Sequence, residues 1–134
     1  MFSKDFKEFI QLLNEHQVKY LIVGGYAVGV HGYPRYTGDI DVWIERSTDT
    51  SKKILKVLKD FGLDISEIRE TDFLKEDNMF RIGSPPYRID IITKIDGVNF
   101  ENCYINKITL DIDGVNVDFI GFDDLIKNKI ASGR

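Results

Sequence analysis

The sequence predicts an α+β fold, in which a small mixed β-sheet has helices packed on it. In the first half of the chain, stretches with apolar residues at a helical period alternate with short apolar runs. The second half is rich in strand-like segments and contains a hairpin signal, two alternating apolar and polar runs around Asp113-Gly114. Such a sheet buries its apolar face against helices, which gives this architecture.

Helices and strands alternate in the first half of the chain. The expected elements are a helix over 3–16, a strand over 20–23, a short helix over 26–31, a strand over 39–45 and a helix from about 50 to 61. Ser3 is the expected N-cap of the first helix, and either Thr50 or Ser51 that of the last. Gly62 is expected to end that last helix.

Strands dominate the second half. The expected elements are strands over 79–82 and 87–93, a helical turn over 100–104, hairpin strands over 108–112 and 115–119, and a closing helix over 122–130. Asp123 and Asp124 fall in the first turn of that helix, where negative charge favours the helix dipole.

Length and composition indicate one globular domain, residues 1–134. The net charge is −4 with no basic block, which disfavours a broad nucleic-acid footprint. No apolar run approaches the ~20 residues that cross a bilayer, so we expect no membrane partner. The single cysteine, Cys103, excludes an internal disulfide and a cysteine-based metal site, and it favours a cytoplasmic protein.

The most informative segment runs from a glycine pair to two closely spaced carboxylates. Gly24-Gly25 follows a buried strand, and Asp39 and Asp41 open the next one. Residues two apart in a strand face the same side, so these two carboxylates point together while the apolar residues between them face a core. Adjacent like charges need a cation, which predicts Mg²⁺, and bare glycine amides suit a phosphate.

A third carboxylate is expected from a neighbouring strand, and Asp90 is the candidate. It interrupts an apolar run, and an unpaired carboxylate in such a place is costly. We do not expect Arg88 to be its partner, on the reasoning that neighbouring strand residues face opposite sides. The alternative is an edge-strand aspartate that faces water or pairs with another arginine.

Several other polar residues have weaker signals. Arg35 and Thr37 precede the acidic pair, where they either meet a triphosphate or line a solvated loop. Asp111 and Asp113 repeat the Asp-x-Asp spacing, but no glycine pair precedes them. Asp113 is expected in the hairpin turn and Asp111 on the solvent side of the strand before it, so we expect solvated side chains. We expect the same of Asp118.

These residues resemble the nucleotidyltransferase superfamily typified by DNA polymerase beta. The matching pattern is Leu21-Ile22-Val23-Gly24-Gly25, thirteen residues, Asp39-Ile40-Asp41, and a later Asp90. The segments 35–41, 85–93 and 122–134 also resemble small bacterial proteins akin to AbiEii-type toxins and to the minimal nucleotidyltransferases of toxin–antitoxin systems. The relatives continue past Gly133-Arg134 with a further helix, so the resemblance implies a chain truncated there, with its acceptor-binding part missing or supplied by a partner.

The resemblance implies a polymerase beta-like core that transfers a nucleoside monophosphate from an NTP such as ATP to a hydroxyl. The acceptor would be tRNA, another RNA, a protein or a small molecule. Asp39, Asp41 and Asp90 would hold two Mg²⁺ ions, or Mn²⁺, while Gly24 and Gly25 would meet the phosphates. A toxin–antitoxin role with a helical partner is also implied. The alternative is a non-catalytic nucleotide- or partner-binding module, such as an antitoxin.

Overall fold

Six strands form one mixed β-sheet in the structure, a computed structural model that describes residues 3–32, 38–84 and 87–133. The strands are β1 (Tyr20–Val23), β2 (Asp39–Ile44), β3 (Met79–Ser84), β4 (Tyr87–Ile92), β5 (Ile108–Ile112) and β6 (Val115–Phe119). Their order across the sheet is β3-β4-β2-β1-β6-β5. The β2–β4 and β1–β6 pairs are parallel and the other three are antiparallel.

Five α-helices and one 3₁₀ turn surround the sheet in the described part of the chain. They are α1 (Lys4–Glu15), α2 (Gly24–Val30), α3 (Thr48–Asp60), α4 (Phe100–Ile105), α5 (Phe122–Ala131) and the 3₁₀ turn Glu70–Phe73, which the sequence patterns did not predict. The predicted α+β class is therefore confirmed. Within residues 3–32, 38–84 and 87–133, every helix falls short of the length and apolarity that a bilayer crossing requires.

One face of the central strands is apolar and fully buried. In β2, Ile40, Val42 and Ile44 alternate onto this face and are at most 1% exposed. Tyr20 of β1 pairs with Ile44 in register, and its hydroxyl donates a hydrogen bond to Asn14 of α1 at 3.2 Å. Helix α1 therefore covers this face, and burial of the three β2 side chains stabilises the fold by roughly 1.5–3 kcal/mol each.

The opposite face carries both acidic and aromatic residues. Asp39, Asp41 and Trp43 share it by the same alternation. The Trp43 ring is packed edge-on against Phe100 of α4, with ring centroids 5.1 Å apart. Helix α4 therefore covers one end of this face, whereas Asp39 and Asp41 at the other end remain half-buried.

The start of α3 differs from the expectation. The N-cap is Ser47, whose Oγ accepts a hydrogen bond from the Thr50 backbone N–H at 3.1 Å, and not Thr50 or Ser51. Ser47 has the extended backbone of a cap residue, whereas Thr50 and Ser51 lie in the first helical turns and are buried. The helix was predicted from its apolar stripe, which begins after the polar first turn, so the predicted start was too late.

Replacement of Ser47 by alanine should destabilise the protein by about 1 kcal/mol, because the Thr50 N–H would lose its cap acceptor. Urea unfolding followed by circular dichroism measures this change. Thr48→Ala is the matched control, since Thr48 is exposed in the same turn. An equal loss in both variants would mean that Ser47 is not the cap.

Candidate functional site

The pairing of β2 with β4 brings the three predicted carboxylates onto one face of the sheet. Asp41 is in register with Asp90, and Asp39 is in register with Arg88. Neighbouring strands lie about 4.8 Å apart, so the Asp41 and Asp90 backbones are nearest neighbours across the sheet. Asp39 lies two residues before Asp41 on the same face. The three side chains thus lie close together on one face of the adjacent parallel strands β2 and β4.

A guanidinium group lies between two of these carboxylates. Arg88 Nη2 donates to Asp39 Oδ2 at 2.8 Å and to Asp90 Oδ2 at 3.1 Å. Its Nε donates to Asp90 Oδ1 at 3.1 Å, so Asp90 receives a bidentate pair of bonds. The Asp90 side chain is 4% exposed, and this pairing offsets the cost of burying its charge.

The expectation about Arg88 was therefore wrong. Arg88 and Asp90 are two positions apart, not one, so the strand alternation places them on the same face. That spacing was readable from the sequence. The second arginine near Asp90, Arg81, could not be found from sequence spacing. It lies in β3 and comes next to Asp90 only through the register of β3 with β4. Its Nε is 3.6 Å from Asp90 Oδ1, and its side chain is 57% exposed.

The electrostatics of the site centre on Arg88. The hydrogen bonds to Asp90 raise the pKa of the Arg88 guanidinium above its usual range, and the charges of Asp90, Asp39 and Asp41 act in the same direction. Among the described residues, three carboxylates and two guanidinium groups meet here, which gives these five side chains one net negative charge. The described residues include no group of three His, Cys, Asp or Glu side chains arranged to hold a metal ion.

Gly24 approaches the Asp41 side chain closely. It is the first residue of α2, directly after β1, and its φ is +69°. A Cβ atom built on Gly24 would overlap Asp41 Oδ2. Two independent constraints therefore favour glycine at this position: the left-handed backbone and the carboxylate beside it. Gly25 is the next residue of α2 and is half-buried.

The remaining predicted residues lie away from these carboxylates or outside the residues that the structure describes. Arg35 and Thr37 fall outside the described residues. Asp111 and Asp113 are exposed at the β5–β6 hairpin, as expected. Asp111 Oδ1 accepts a hydrogen bond from the Gly114 N–H at 2.9 Å, so it supports the turn. Asp118 is half-buried and accepts a hydrogen bond from Thr109 Oγ1, so it is less solvated than expected.

Replacement of Arg88 by methionine should lower the thermal unfolding midpoint, because two neighbouring carboxylates would lose their shared counter-ion. Arg81→Met should lower it far less, since an exposed pair contributes little. Addition of Asp39→Asn to the Arg88→Met variant should recover part of the loss by removing repulsion. Equal midpoints for the two arginine variants would contradict this account.

Replacement of Gly24 by alanine should destabilise the protein by about 1–2 kcal/mol, because the residue has a positive φ and its new Cβ would displace the Asp41 carboxylate. Gly29→Ala serves as the control. Gly29 lies in the same helix with open space around it, and alanine there should be neutral or stabilise by up to about 1 kcal/mol. Urea unfolding compares the two, and an equal effect would argue against the close contact.

Comparison with known proteins gives a fold likeness and no sequence match. No family model matches the sequence, and no curated protein matches it significantly. A crystal structure from Thermotoga maritima, of a protein described provisionally as a nucleotidyltransferase, superposes with a TM-score of 0.69 at 12% identity. The alignment covers 96% of this chain and 83% of that one. The two proteins therefore share a fold over nearly all of this chain.

Proposed function

We propose that this chain is a nucleotidyltransferase of the polymerase beta-like superfamily, which moves a nucleoside monophosphate from an NTP to a hydroxyl. The observation that carries the proposal is the register of Asp41 with Asp90, with Asp39 on the same face. The fold likeness to the Thermotoga maritima protein supports it. So does Gly24, because this glycine keeps the space beside Asp41 clear of a side chain.

The residues present match a divalent metal by the type of donor. Carboxylate oxygens are the ligands that Mg²⁺ and Mn²⁺ prefer, and Asp39, Asp41 and Asp90 would hold two such ions. Bound ions would neutralise phosphate charge and favour ionisation of the acceptor hydroxyl. Arg88 already binds Asp39 and Asp90, so a metal ion would compete with this guanidinium for the same oxygens.

The proposed reaction is a displacement at the α-phosphorus of the NTP. The acceptor oxygen forms a bond to that phosphorus while the bond to the pyrophosphate oxygen breaks, and the electron pair leaves with pyrophosphate. Asp90 would accept the hydroxyl proton once one of its oxygens has left its hydrogen bond to Arg88. Gly24 and Gly25 would present backbone amides to the β- and γ-phosphates, where a side chain would obstruct the approach.

The finer assignments are proposals from the sequence. They are the AbiEii-like subgroup, a toxin–antitoxin role with a helical partner, a cytoplasmic location, phosphate contacts from Arg35 and Thr37, and ATP as the NTP. The location rests on the single cysteine, the Arg35 and Thr37 contacts rest on their place before the acidic pair, and the others rest on the resemblance. The acceptor would be an RNA end, a protein side chain or a small hydroxylated molecule. The net charge of −4 favours an acceptor held at a few local contacts over one bound along a long nucleic-acid surface.

A second candidate function is a binding module without catalysis, and one observation favours it. Arg88 pairs with Asp39 and Asp90, and Arg81 lies 3.6 Å from Asp90, so these two carboxylates have counter-ions without any added metal. Such a module would bind the nucleotide or a partner protein and transfer nothing. The two functions differ in whether label from the NTP becomes covalently attached to an acceptor.

The proposal predicts label transfer that depends on the metal and on the aspartates. The protein would be incubated with each α-labelled NTP, Mg²⁺ or Mn²⁺, and either bulk RNA or cell extract. Asp41→Asn and Asp90→Asn should each reduce transfer by at least about a hundredfold, since each removes a proposed ligand or proton acceptor.

Asp113→Asn is the matched control, because Asp113 belongs to the other Asp-x-Asp pair and is exposed. Its transfer should equal that of the unaltered chain. Transfer that survives in Asp41→Asn would overturn the proposed mechanism. Tight NTP binding with no transfer to any acceptor would favour the binding module.

A further inference from the structure

Arg88 already acts as a cation at the carboxylates that a metal ion would use. Its guanidinium donates to both oxygens of Asp90, at 3.1 Å each, and to Asp39 Oδ2 at 2.8 Å. Both Asp90 oxygens are therefore engaged before any metal arrives. A metal ion that binds Asp90 either lies directly beside this guanidinium or displaces it.

Both alternatives are costly while the site holds no other anion. The Arg88 guanidinium is charged at every pH at which proteins fold, so it repels a divalent ion beside it. The Arg88 side chain is only 23% exposed, and a displaced guanidinium would lose its two partners without passing fully into water. Metal ions alone should therefore bind this site weakly.

The charges of the site indicate what is missing. Among the described residues, the three carboxylates together with Arg81 and Arg88 carry one net negative charge. Two divalent ions would change the total for these five side chains to three positive charges. A polyanion that arrives with the ions removes this excess, and the triphosphate of the proposed NTP substrate is such a polyanion.

A phosphate can replace a carboxylate as the partner of Arg88. A guanidinium group binds two oxygens of either anion in the same bidentate geometry. The register of β4 with β2 places Arg88 on the sheet face that carries the three carboxylates. Phosphates held at those carboxylates would therefore lie on the same face as Arg88, where Gly24 leaves space beside Asp41.

Arg81 carries the same charge at the same place but is bonded differently. Its Nε lies 3.6 Å from Asp90 Oδ1, and most of its side chain is exposed. Water and salt screen an exposed charge, and an exposed guanidinium can move away from Asp90 at little cost. Arg81 is thus the matched control for an effect that depends on the bonds of Arg88 and not on its charge alone.

We propose that Arg88 couples metal binding to nucleotide binding. In the metal-free chain it holds Asp39 and Asp90, and the phosphates of an arriving NTP take over its guanidinium, which leaves both carboxylates available to a divalent ion. Each of the two ligands then raises the affinity of the chain for the other. This inference rests on the proposed function, which supplies the NTP and the metal.

The test measures how tightly the chain binds Mn²⁺ with and without a nucleotide, from the electron paramagnetic resonance signal of free Mn²⁺. Each of the four NTPs is supplied as its cobalt(III)-tetrammine complex, whose metal does not exchange, and a protein-free sample corrects for Mn²⁺ bound by the complex itself. For at least one NTP, the complex should tighten Mn²⁺ binding to the unaltered chain by about tenfold or more.

The arginine variants assign the coupling to one residue. Arg88→Met should bind Mn²⁺ alone about tenfold more tightly than the unaltered chain, and the nucleotide complex should add less than about threefold. Arg81→Met should keep both the weak binding of Mn²⁺ alone and the gain from the nucleotide complex, because its guanidinium is exposed.

Three results would overturn the coupling. They are Mn²⁺ binding to the unaltered chain that no nucleotide complex tightens, equal Mn²⁺ affinity of the unaltered chain and Arg88→Met, and an equal effect of the two arginine variants. The first needs no variant, so it decides even if Arg88→Met does not fold. Any of the three together with metal-dependent label transfer would leave the proposed function standing. The absence of saturable Mn²⁺ binding in every sample would instead remove both.

Discussion

The ion pairs made by Arg88 hold together the acidic corner, which is the set of Asp39, Asp41 and Asp90 on β2 and β4. Two carboxylates at nearest-neighbour positions across a sheet repel each other, and the repulsion grows as the surroundings become less polar. Arg88 contacts both Asp39 and Asp90, and its bidentate geometry with Asp90 holds that side chain in one orientation. The corner therefore combines a high density of negative charge with a defined geometry, which a set of free carboxylates would lack.

The strand β2, which carries Asp39 and Asp41, is packed into the core through its opposite face. The same β2 residues that alternate with Asp39 and Asp41 are Ile40 and Val42, and both are buried in the main core. Because side chains alternate along a strand, a one-residue shift in register would carry the carboxylates into the core and the apolar residues into water. The core thus fixes which side chains face the site, and a site on strands is held more rigidly than one on loops.

The sequence patterns predicted the elements better than their arrangement. The sequence patterns located every α-helix and strand of the described chain to within a few residues, because burial imposes a period on the apolar residues, but they missed the 3₁₀ turn Glu70–Phe73. The order of the strands could not be predicted, since it depends on contacts between distant segments. Arg88 was within reach of sequence reasoning through its spacing from Asp90, whereas Arg81 required the β3–β4 register. Asp124 was predicted as a favourable charge in a first helical turn, and only the position of α4 shows that it is buried.

The chain connectivity of the β2–β4 pair has a consequence for the route of folding. Arg88 and Asp39 are 49 positions apart, so their contact forms only after a long loop has closed. Arg88 and Asp90, however, belong to the same strand and arrive together. The segment that forms β4 therefore carries the Asp90 carboxylate together with its Arg88 counter-ion, whatever the order in which the strands pair.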